Sequence, residues 1–132
     1  ANGLHSEDVS RGKTAVIFMD NGQAMAEVLF GLMKAGVASA PINLSVGDDA
    51  IGAMILDCGA DAIFVSASYA DRIKALLETL GDDAPSLRIC DEDIEGWNSY
   101  RSWRDQQSES EPDVDIQPDD ILNIIYCNFI FR

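Results

Sequence analysis

Thr14-Ala-Val-Ile-Phe-Met-Asp20 is an apolar run closed by an acid, with Asn21-Gly22 behind it. A short unbroken run of this kind suits a strand buried on both faces, as in a parallel sheet. Asn21-Gly22 reads as a turn that can cap a helix. From Gln23 to Lys34 the apolar residues Met25, Val28, Leu29, Leu32 and Met33 recur at helical spacing, and Gly36 is placed to end the helix in the left-handed region.

The same alternation continues downstream. Val37 to Ile42 reads as a second strand that either finishes at Pro41 or lies there where no partner is needed, because proline has no amide hydrogen for a ladder. Ser45 with Asp48 resembles a capping box for a helix that presents Ile51, Met54, Ile55 and Cys58 on one face and stops at Gly59. Asp61 to Ser66 is a third strand. Ser68 and Asp71 are placed to cap a third helix, with Ile73, Leu76, Leu77 and Leu80 inward and Gly81 as terminator. Ser86 to Cys90 is a fourth, weaker strand. Strand starts at Thr14, Val37, Asp61 and Ser86 are 23, 24 and 25 residues apart. That regularity predicts an α/β fold, a mostly parallel sheet with crossover helices on its faces and right-handed connections. Side-chain identity between the units is too poor for a sequence repeat.

Beyond Cys90 the pattern changes. Asp91 to Glu95 is acidic, and Trp97, Tyr100 and Trp103 form an aromatic stripe expected to anchor a short helix to the sheet. Gln106 to Pro118 is rich in Ser, Gln, Glu, Asp and Pro and reads as a surface linker. Ile121 to Tyr126, preceded by Asp119 and Asp120, is predicted to return to the core as a strand. The expected organisation is an α/β core over 1–90, a short helix and acidic linker over 91–118, a core strand over 119–126 and a distinct tail over 127–132.

Charge limits the function classes. With 9 Lys plus Arg against 23 Asp plus Glu, the net charge of −14 argues against nucleic-acid partners and anionic membrane surfaces. No apolar run approaches the roughly 20 residues that span a bilayer, and Ala1 to Arg11 carries no apolar signal core, so a cytoplasmic setting is expected. Cys58, Cys90 and Cys127 are widely spaced and His5 is the single histidine, which predicts no metal site. His5 also has no nucleophile to serve as base. Asp20 with Asp48 and Asp49 raises a receiver-type phospho-acceptor, but the last two sit at a helix start, where acids favour the macrodipole, and no strand-end lysine completes the set. Neither a dinucleotide fingerprint nor a P-loop motif is present. No catalytic residue is therefore assigned.

Several phrases taken in order carry a resemblance. Val9-Ser-Arg-Gly12-Lys-Thr-Ala-Val16 is similar to the "GV-x-x-GD-x-V-A" opening of adenylate-forming enzymes, with Lys13 where that family has aspartate. Asn21, Glu27, Gly31 and Lys34-Ala-Gly36 resemble its "N-x-x-E…G-x-x-K-A-G" helix. Ala40-Pro-Ile-Asn43 resembles its "P-x-N" strand exit, and Asp57-Cys-Gly-Ala60 its "D-S-G-A". Asp119-Asp120-Ile-Leu-Asn-Ile-Ile-Tyr126 resembles the "D-D-x-x-x-I-x-Y" strand before the family's phosphate loop. The resemblance implies a partial N-terminal subdomain of an AMP-forming acyl-CoA ligase, with fatty or aryl acids as the nearest substrate class. The full-length family uses ATP, Mg and coenzyme A to make an acyl-adenylate and then a thioester. Tyr126 would precede the phosphate loop, but Cys127-Asn-Phe-Ile-Phe-Arg132 has none of its glycine, threonine or lysine. The expectation is an inactive scaffold truncated before that loop, with no cofactor of its own. A stand-alone α/β binding module and self-association through a sheet edge at Ile121 to Tyr126 and Phe129 to Phe131 are the rival expectations.

Overall fold

The structure, a computed structural model, describes residues 1–127. Its strands are β1 (Thr14–Phe18), β2 (Ala38–Pro41), β3 (Ala62–Val65), β4 (Leu87–Cys90) and β5 (Asn98–Ser99). They form one sheet in the order β2-β1-β3-β4-β5, with every pairing parallel. Val16 lies between Ala40 on one side and Ile63 on the other. The helices are α1 (Asn2–Ser6), α2 (Gln23–Ala35), α3 (Asp48–Asp57), α4 (Ala70–Leu80) and α5 (Tyr100–Asp105).

Layering follows from chain direction. The chain moves outward from β1 to β2 and then reverses to reach β3, so right-handed crossovers place α2 and α3 on opposite faces. Ala15, Ile17, Ala62, Phe64, Leu87 and Ile89 point to a core shared with α1, α2 and α5. Val16, Phe18, Ile63 and Val65 point to the other core, filled by Ile51 and Ile55 of α3 and Ile73 and Leu77 of α4. Each of these large side chains contributes about 1.5–3 kcal/mol by leaving water. Covering both faces is why the strands read as unbroken apolar runs. The fourth strand, weak in sequence, lies inside the sheet with Leu87, Ile89 and Cys90 buried. Gly36 ends α2 at φ 68°, as its position predicts.

Four local expectations are corrected. Gly47, not Ser45, caps α3, because Asn43 Oδ1 already accepts from the Ser45 amide and hydroxyl. A 3-10 turn over Ala67–Tyr69 precedes α4, and neither Ser68 nor Asp71 caps it; the Ala67 amide is drawn instead to Asp91 Oδ1 at 2.7 Å. The aromatic stripe is split. β5 intervenes between Trp97 and the helix, so Trp97 packs on the α3–α4 face while Tyr100 and Trp103 pack on the other.

The fourth correction concerns 119–126, which is no core strand. Ile121, Leu122 and Ile125 are 67%, 52% and 71% exposed, and the segment meets β2 through one isolated parallel bridge, Ser39 with Asn123. The cause lies in the donors of β2. Ala38 and Ile42 direct their amides toward β1, leaving alternate residues for the outer edge. Of these, Val37 donates to Leu32 O in the α2 cap and Pro41 has no amide hydrogen. Among the described residues Ser39 alone supplies a rung: its amide donates to Leu122 O at 3.1 Å and its carbonyl accepts from Ile124 N at 2.8 Å. Of the tail 127–132, and of the apolar edge read at Phe129 to Phe131, everything past Cys127 lies outside the described residues.

Candidate functional site

In an open sheet of this order, ligands bind outside the carboxyl ends of the strands where chain direction reverses, here between β1 and β3. Asp20 follows β1, Ser66 follows β3, Asp91 follows β4, and α3 begins at this end with Asp48 and Asp49. Their hydrogen bonds are largely internal. The Asp20 amide donates to Ser66 Oγ at 2.9 Å, and Tyr69 Oη donates to Asp20 Oδ1 at 3.3 Å. Arg72 donates to Asp48 Oδ1 at 2.6 Å and to Val46 O at 2.7 Å, and its guanidinium lies 5.7 Å from the Phe18 ring centre.

This crest is a poor host for phosphate. Asp20, Asp48, Asp49 and Asp91 repel a polyanion, and Arg72, the cation beside them, is already paired. Backbone nests need residues in the left-handed region. Of the glycines with positive φ, Gly12, Gly36, Gly59 and Gly81 precede β1 to β4 and lie at the opposite rim, while Gly96 stands in the loop between β4 and β5 against the Lys74 side chain. Asp20 and Asp48 do not assemble a receiver site: one accepts from Tyr69, the other from Arg72, and no cluster of three metal-ligating side chains occurs among the described residues.

Tyr126 sits away from the crest. Its Oη donates to Asp57 Oδ2 at 2.8 Å and lies 3.2 Å from Met54 O, both in the last turn of α3. Burial, and then the bond to Asp57, push the phenol above its ordinary range. The structure therefore gives Tyr126 an anchoring contact. His5 lies with its Nε2 3.5 Å from Ala35 O, between α1 and the end of α2.

Two features escape a reading by local pattern. Between α1, α2 and α5 lies a cavity of about 370 Å³ lined by Leu4, Glu27, Phe64, Tyr100, Trp103 and Arg104. Glu27 accepts from Tyr100 Oη and from Arg104 Nη1, both at 2.9 Å, and its carboxyl is held low by the Gln23 amide and then by Arg104. The second is the fork from Arg11 to Asp120, at 2.7 and 2.8 Å. The sequence signals were Glu27 in the helix phrase and the Asp119-Asp120 pair, but neither names its partner.

A family model described as "AMP-binding enzyme" matches residues 1–127. A PKS-NRPS hybrid synthetase, ATPKS of Aspergillus niger, is 27% identical over 125 residues, which cover 95% of this chain and 6% of that protein. The N-terminal domain of FACL13 from Mycobacterium tuberculosis superposes with a TM-score of 0.76 at 22% identity, covering 96% of this chain and 31% of that one. A long-chain-fatty-acid-CoA ligase, FadD1 of Archaeoglobus fulgidus, superposes at 0.81 and 21% identity, covering 96% and 24%. This chain thus spans a small part of the curated relative and a quarter to a third of the solved ones. No described helix is long and apolar enough to cross a membrane. The sheet order, the two-sided core and the match over residues 1–127 lead to one conclusion: the chain belongs to the AMP-binding enzyme family.

Proposed function

We propose that these residues are the scaffold that opens the N-terminal domain of an ATP-dependent, AMP-forming acyl-CoA ligase acting on fatty or aryl acids, and that the 132-residue chain alone forms no adenylate. In the complete reaction ATP in its Mg complex activates a carboxylate and coenzyme A takes up the acyl group. The observation that carries the reading is the crest: acids crowd it, and the positive-φ glycines before β1 to β4 lie at the other end of the sheet. Residues 1–127 do not fit a triphosphate, and no step of the reaction is assigned to them. What they supply is a rigid sheet, buried on both faces.

The test is acid-dependent ATP–pyrophosphate exchange by the purified chain, with fatty and aryl acids offered in turn. Exchange indistinguishable from the acid-free control is expected. Clear acid-dependent turnover would overturn the reading. A second reading, pairing of two copies along 121–125, has the exposure of Ile121, Leu122 and Ile125 in its favour. Sedimentation at rising concentration separates the two.

A further inference from the structure

Among the described residues the outer edge of β2 makes one rung, so backbone pairing alone holds residues 117–126 weakly and does little to define their path. Side chains supply the rest. Arg11, in the loop before β1, donates Nε to Asp120 Oδ2 at 2.7 Å and Nη2 to Oδ1 at 2.8 Å, a two-point geometry that fixes orientation as well as distance. The Gln117 amide donates to the same carboxylate at 2.8 Å, which closes the turn that feeds the segment. Next comes the rung, where the Ser39 hydroxyl, buried beneath the segment, also donates to Asn123 Oδ1 at 3.1 Å. Tyr126 then pins the far end to α3.

We propose that Arg11 is a positioning residue: its fork to Asp120 latches residues 117–126 onto the single rung of β2 and so sets where the chain leaves the sheet at Tyr126. The segment is an electrostatically held strap. Its apolar residues Ile121, Leu122 and Ile125 lie outward, and Ile124 is the aliphatic side chain of 121–125 that packs against the core. Arg11 also faces Asp115 and Asp119, which reinforce the attraction. The latch does not depend on the ligase reading, since it concerns only how the chain is seated.

Amide hydrogen exchange on the 132-residue chain tests it, comparing the native sequence with Arg11→Ala, Asp120→Asn and the double variant. The Ser39 and Ile124 amides should exchange roughly fivefold faster in either single variant, the scale of a well-formed surface pair. Amides inside the sheet, such as Val16 and Ile63, should keep their protection. The double variant should open no further than either single one, because each removes the same contact. Raising salt to about 1 M should speed exchange in the native chain and leave the variants unmoved. Unchanged protection at Ser39 and Ile124 in Arg11→Ala would overturn the proposal. So would additive losses, or equal loosening of Val16 and Ile63.

Discussion

Gly36 and Gly59 both sit behind helices in the left-handed region, at φ 68° and 57°, yet their surroundings differ. A Cβ on Gly59 would meet nothing within 4 Å, whereas on Gly36 it would lie 3.0 Å from Arg11 Cγ and 3.2 Å from Arg11 Cβ. Gly59→Ala therefore measures backbone conformation alone. The left-handed region costs an L-residue about 1–2 kcal/mol, less about 0.4–1 kcal/mol returned by a stiffer unfolded chain. A net loss of roughly 1 kcal/mol is expected. Gly36→Ala carries the same loss plus the displacement of the Arg11 stem, about 1 kcal/mol more. The total, roughly 2 kcal/mol, is a large share of the ~5–15 kcal/mol that holds a domain together. Urea denaturation followed by far-ultraviolet circular dichroism measures both. Placing Gly36→Ala in an Arg11→Ala background removes the Cγ contact but keeps the Cβ at 3.2 Å, and should recover part of the excess. Equal losses for the two glycine substitutions would refute the steric part, and a negligible loss at Gly59 the conformational part.

Two further outcomes follow from burial and charge. Cys90 is fully buried, Cys58 half-buried and Cys127 exposed, and burial raises the first two thiols above their ordinary range. Alkylation mapped by mass spectrometry should label Cys127 first, Cys58 more slowly and Cys90 only on unfolding; early labelling of Cys90 would contradict the two-sided sheet. Hydrogen bonding from Arg11 holds the Asp120 carboxyl down to about 2. Its depressed value means the fork contributes fully above the unfolded aspartate value of about 3.9 and is lost as pH falls through about 2. A carbon-detected titration of Asp120 with a midpoint near that of a free aspartate would contradict this.

The alternation of unbroken apolar runs with helical periodicity, the glycine stops and the parallel sheet were all legible along the chain. The first two depend on residues within a turn or two of one another, and the parallel sheet on the even spacing of the strand starts. Pro41 also marked where β2 would finish. What local pattern could not deliver were meetings across the fold. Arg11 and Asp120 are 109 residues apart, Tyr126 and Asp57 69, and Tyr100 and Glu27 73. Trp97 and Trp103 share a helical spacing in sequence, yet β5 sends them to opposite faces. Ile121 to Tyr126 has the composition of a core strand, but its place depended on donors in β2 that Leu32 and Pro41 had already removed. A strand needs partners as well as propensity, and which donors remain free is settled only once the rest of the sheet is built.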